Sequence, residues 1–192
     1  MSEQIPAPDS IAAILPCYSS TGDATTIITT DGQSRTNATK VHTVIRRIAL
    51  SRSTDLIALK QHVTRTTQRV ILTPLPLSPG LVLCPVKVRR PRIAGDTSTG
   101  YVNYHAVNNV QKCSNPPFQS AITLAGGTEI PVLWARATVI RQLQHARLAI
   151  SDTPAPTGIT LRESQADYGE LIPLIHKLID IACHFLASKN RR

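Results

Sequence analysis

The stretch from 70 to 88, VILTPLPLSPGLVLCPVKV, decides the fold class of this 192-residue chain. It is apolar, β-branched and studded with prolines, so it reads as strands at 70–73 and 81–88 joined by a loop around Pro79-Gly80. Downstream, 89–100 (RRPRIAGDTSTG) is a polar, basic loop and 101–107 (YVNYHAV) alternates as a strand. A further loop is expected over 108–118, around Pro116-Pro117. Segments 121–124 and 129–133 flank Gly126-Gly127 and form a hairpin. The spacing of Val139, Leu143 and Ala146 predicts a helix over 136–149 with these residues turned inward.

Upstream, Ser53 or Thr54 caps a helix with Asp55 in its first turn and an apolar stripe of Leu56, Leu59 and Val63. Segment 41–50 (VHTVIRRIAL) is ambiguous between strand and helix, because its alternation is imperfect and its Ile45/Ile48 spacing also suits a helix. Thr25–Thr30 (TTIITT) and Ile11–Leu15 read as strands, and Asp31-Gly32 signals a hairpin turn. The expected fold class is α+β: a single domain of antiparallel sheet and hairpins packed by helices, with a C-terminal amphipathic helix. The expected boundaries are a frayed N-terminus at 1–10, the α+β domain at 11–150, a linker at 151–166, and a helix with a basic tail at 167–192.

Hydrophobic residues make up 42% of the chain and charged residues 17%, below the ordinary ~25%, which argues against disorder throughout. Aromatics are 4%, so the core must rest on aliphatic side chains. Cys17, Cys84, Cys113 and Cys183 lie far apart without a C-x-x-C pair, and are expected to be free thiols in a reducing cytosol. The sequence shows no secretory leader and no ~18-residue apolar run, so a soluble cytoplasmic protein without a membrane partner is expected.

Charge is the main functional signal. From Arg35 to Arg92 there are twelve basic residues and one acid, Asp55. The block therefore carries +11 of a chain total of +9, and the remainder sums to −2. Residues 1–34 contain four acids and no Lys or Arg. A positive field this concentrated suits a polyanion. Arg exceeds Lys nine to three in the block, a bias that suits bidentate phosphate recognition and insertion into a narrow minor groove. Aromatic side chains for base stacking are nearly missing there, which disfavours single-strand binding. The expected DNA-binding residues are Arg46, Arg47, Arg52, Lys60, Arg65, Lys87, Arg89, Arg90 and Arg92.

Nucleotide-binding, hydrolase and zinc-protease motifs are all missing. Gly95–Gly100 lacks the Lys and the following helix that a phosphate-cradling loop needs. The six histidines (His42, His62, His105, His145, His176, His184) show no metal-ligand spacing with a Cys. No enzyme activity, catalytic residue, metal or cofactor is expected.

In its middle the chain resembles the ComK family of competence transcription factors, over about residues 41–149. Val44-Ile45-Arg46-Arg47 stands for the family's basic segment, and Leu81-Val82-Leu83-Cys84-Pro85 for its apolar strand ending in proline. Arg89–Gly100 is the basic loop, and Tyr101-Val102-Asn103 stands where the family usually has Trp-Ile. Gly126-Gly127 with Ile130 matches the hairpin and Gln142 the helix glutamine. No clear counterpart of the family's adaptor-binding stretch occurs in 150–170. The resemblance implies an activator of DNA-uptake genes that binds A/T-rich duplex DNA through backbone and minor groove. It also implies a homodimer or higher homo-oligomer and a contact with RNA polymerase. An RNA-binding or ribosome-associated protein is the alternative reading, and a small enzyme clamping an anionic substrate is a third.

Overall fold

A computed structural model describes residues 5–20 and 22–151. The linker and the C-terminal helix expected beyond 151 lie outside the described residues.

The elements run β1 (Ile11–Ser19), β2 (Gly22–Thr29), β3 (Ser34–Asn37), α1 (Val41–Ser51), α2 (Leu56–Thr67), β4 (Leu75–Ser78), β5 (Leu81–Lys87), β6 (Thr99–Asn103), β7 (Val107–Lys112), β8 (Ser120–Leu124), β9 (Glu129–Val132) and α3 (Arg136–Ser151). Six strands form one antiparallel sheet in the order β3-β2-β1-β6-β5-β4, and three form a second in the order β7-β8-β9. The class is α+β in a single domain, as the sequence indicates.

Strand β5 shows how the layers stack. Leu81 and Leu83 enter a core shared with α1 through Val41, Val44, Ile45 and Ile48. The alternate residues Val82, Cys84 and Val86 enter a second core with Ile122, Ile130, Val139 and Ala146. The large sheet is therefore covered on both faces, by α1 on one and by the small sheet with α3 on the other. That is why an antiparallel strand reads as an unbroken apolar run instead of alternating. Each fully buried Leu or Ile here contributes roughly 1.5–3 kcal/mol.

Prolines sit where the ladder permits them. Pro76 lies in β4, the sheet's edge. Pro85 lies in β5 beyond the last residue paired with β4, so its missing N–H breaks no bond on that side.

The ambiguous segment 41–50 is helix α1. Its buried positions Val41, Val44, Ile45, Ile48 and Ala49 follow helical spacing against the sheet. Helix α2 is capped by Asp55 itself, whose carboxylate accepts from the N–H groups of Ile57 (2.7 Å) and Ala58 (3.4 Å), rather than by Ser53 or Thr54. The strand expected at 70–73 is absent. Val70 and Ile71 are exposed, and left-handed Gln68 and Leu72 (φ 53° and 57°) turn the chain there, so β4 begins only at Leu75. The strand expected at 101–107 is split by a 3-10 turn at Tyr104–Ala106, which carries the chain from one sheet to the other. Buried Asn103 makes that break. Its Nδ2 donates to the carbonyls of Ile11 (3.0 Å) and Gly80 (2.9 Å), and its Oδ1 accepts from the N–H groups of Val82 (3.2 Å) and His105 (3.3 Å). The loop expected over 108–118 contains β7, whose polar composition reflects an edge strand burying only Val110. The hairpin about Gly126-Gly127 and the helix from 136 form as expected.

Among the described residues, no helix is long and apolar enough to cross a membrane.

Candidate nucleic-acid interface

The basic residues reach the surface from three elements. On α1, His42 and Arg46 are spaced i, i+4 and share one flank, because an i, i+4 pair lies on the same helix face. On α2, Lys60 meets that flank across a cleft of about 280 Å³ lined also by Thr97, Thr99 and Tyr101. Strand β5 adds Lys87, which pairs with Thr99 in the ladder. Directly paired residues project from the same sheet face, so Lys87 lies on the face that carries Thr99 and Tyr101. None of the residues lining the cleft is a carboxylate.

The basic loop adjoins this cleft through Thr97, and it is tightly organised. Tyr18 from β1 packs against two guanidinium groups, with Arg89 4.0 Å and Arg92 4.2 Å from its ring centre. Its hydroxyl donates to Asp96 (2.7 Å) and accepts from the Arg92 N–H (2.8 Å). Asp23 from β2 pairs with Arg89 and accepts from the backbone N–H and the hydroxyl of Thr97, each at 3.0 Å. Arg89 Nε also donates to the Thr97 carbonyl at 2.7 Å. Burial would raise the Asp23 carboxyl, but the bonds from Thr97 and Arg89 outweigh it and hold the pKa below the ordinary 3.8.

These placements sort the nine expected contact residues. Arg46 and Lys60 line the cleft, Lys87 lies on the sheet face that carries Thr99 and Tyr101, and Arg90 and Arg92 are exposed on the adjoining loop. Arg89 is not presented for binding: its side chain is 14% exposed and engaged by Asp23, which is 4% exposed. Arg52 pairs with Asp9 at 2.9 Å at the C-terminal end of α1, away from the cleft flank at its N-terminal end. Arg47 lies one residue beyond Arg46, roughly 100° round the helix and off the cleft flank. Arg65 sits in the last turn of α2, roughly 140° round from Lys60. The acidic N-terminal tract thus does meet the basic block, through Asp9 and Asp23, and withdraws two of its arginines.

Sequence reasoning missed Tyr18, Asp23, Asp96 and Thr97, which set the shape of the loop, and His42, Thr99 and Tyr101, which complete the cleft. The GDTSTG segment gave a partial signal, since two of its residues, Asp96 and Thr97, hold the loop closed. Tyr104 and His105 lie in the 3-10 turn, their rings edge to face at 5.4 Å. Cys84 is buried and its thiol is pushed up to about 12 by desolvation, so it acts as a small apolar side chain. Among the described residues, no group of three His, Cys, Asp or Glu side chains is placed to hold a metal ion. No protein-family model, no curated protein and no solved structure matches this chain.

Proposed function

We propose that this protein binds duplex DNA through the face formed by α1, α2 and the basic loop. Arg46, Lys60 and Lys87 contact phosphates there, and Arg90 and Arg92 lie beside the groove. The carrying observation is that Arg46 and Lys60, from two helices, line one cleft that no carboxylate lines, with Lys87 on the same sheet face and the basic loop joining the cleft through Thr97. Phosphate contacts fix the protein on the duplex, and one or two arginines in a narrow minor groove supply preference. The rigid setting of the loop supports this role, because Arg92 is pre-positioned on Tyr18 rather than ordered at the moment of binding.

The narrower reading, an activator of competence genes acting as a homo-oligomer in the cytoplasm, rests on the resemblance to the ComK family. Fluorescence anisotropy with A/T-rich and G/C-rich duplexes at two salt concentrations tests the proposal. We expect an A/T preference that survives the higher salt. Equal affinities that vanish together would leave generic cation–phosphate adhesion. Preference for a structured RNA over both duplexes would replace DNA by RNA as the partner.

A further inference from the structure

The cleft between α1 and α2 has more structure than a phosphate contact on DNA requires. A backbone contact needs only an accessible cation. Here the rim carries His42, Arg46 and Lys60, while the walls include Val41, Ile45, Leu56 and Leu75. Tyr101, partly buried against the core that α1 covers, and Thr99 line the same hollow. The volume of about 280 Å³ lies at the lower edge of small-molecule sites, near ~300 Å³. A concave, half-apolar hollow with converging polar groups is the form such sites take. Lys40, the residue preceding α1, makes no side-chain cap bond, so the positive end of that helix adds to the cationic rim.

We propose that this cleft binds a small organic anion: a phosphate-bearing ring compound of about mononucleotide size. Its phosphate is held by Arg46 and Lys60, and its ring rests on the apolar wall beside Tyr101. The planar guanidinium matches phosphate oxygens two at a time, and the ammonium adds a second charge. Inorganic phosphate would leave the apolar wall unused, and a neutral nucleoside would leave two cations unpaired. The regulatory consequence rests on the duplex-binding reading, because Arg46 and Lys60 serve both ligands. Occupancy of the cleft then competes with DNA.

The test uses the full chain and adenosine monophosphate as the probe, by isothermal titration calorimetry. We expect saturable one-to-one binding. Lys60→Gln should weaken it by about tenfold, the loss of one charge-assisted hydrogen bond, and Arg46→Ala, which removes a two-point contact, by at least about tenfold. Both positions are exposed, and thermal unfolding of each variant checks that it remains folded. Arg52→Ala, at the other end of α1, should leave binding unchanged. Adenosine and inorganic phosphate should each bind at least about tenfold more weakly than the nucleotide. No binding of the nucleotide, or equal binding of inorganic phosphate, overturns the proposal. A parallel anisotropy titration with duplex DNA separates the two readings. Nucleotide binding without duplex binding sustains the site and removes the DNA function. Duplex binding without nucleotide binding does the reverse. Displacement of bound duplex by the nucleotide supports the competition, and simultaneous occupancy overturns it.

Discussion

Tyr18 packs against two guanidinium groups, and those contacts show how single side chains govern the basic loop. The ring packs against both Arg89 and Arg92, while Asp23 neutralises Arg89 and Asp96 holds the phenol. Replacing Asp23 by Asn would leave the Arg89 guanidinium largely buried without its counter-charge. We expect a loss of about 3 kcal/mol in urea denaturation at pH 7, the range for breaking a buried pair from one side. The pH dependence has a fixed sign. The folded Asp23 pKa is depressed, so its contribution is fully present above the unfolded value of ~3.9 and is lost as pH falls through the folded value. The stability difference between wild type and Asp23→Asn should therefore shrink on moving from pH 7 to pH 3. A difference that stays constant would mean that the carboxylate charge is not what holds the loop.

At the scale of elements, two features carry disproportionate weight. Asp55 caps α2 and so orients the helix that presents Lys60 to the cleft. Asp55→Ala should cost about 1 kcal/mol in thermal or chemical denaturation, the usual value of an N-cap. The second feature is the approach of two turns. Gly126, between β8 and β9, packs against the turn between β2 and β3. A Cβ at Gly126 would stand 2.9 Å from both Gly32 N and Thr30 O. Those are backbone atoms and cannot swing aside, so Gly126→Ala should destabilise by about 1–3 kcal/mol, as overpacking does. A neutral result in the same denaturation assay would show that the two turns separate without cost. Glycine at 126 is thus required by the contact between the two turns, whereas the left-handed backbone of the hairpin turn falls on Gly127 (φ 77°).

At the scale of the whole molecule, the question is how many of its cations act together. The +11 of the block from Arg35 to Arg92 overstates the usable field, since Asp9 and Asp23, from outside it, engage Arg52 and Arg89. Arg46, Lys60, Lys87, Arg90 and Arg92 remain for the proposed interface. Each phosphate contact contributes about 0.9 to the slope of log affinity against log salt. The double variant Arg46→Ala/Lys60→Ala should therefore lower that slope by about 1.8 in anisotropy titrations. Arg52→Ala should leave it unchanged, because that guanidinium is already paired and lies at the far end of α1. Equal effects from the double variant and from Arg52→Ala would mean that the whole surface, not this face, attracts the polyanion. Replacing Arg89 should act on stability rather than on the slope, which separates a positioning role from a contact.

The sequence by itself determined the α+β class, the hairpin at Gly126-Gly127, the helix from 136 and the concentration of positive charge. Turn chemistry, apolar period and composition are local quantities, so they can be read within a short window. It left 41–50 open between helix and strand, because that choice depends on which face the large sheet offers to Val41, Val44 and Ile48. It misplaced a strand at 70–73, because β-branched composition does not reveal that Gln68 and Leu72 adopt left-handed backbone. Only the tertiary structure decided which arginines remain available. Arg52 finds its carboxylate 43 residues away and Arg89 finds its own 66 residues away. Pairing across such separations depends on how the strands are ordered in the sheet, and no local pattern encodes it.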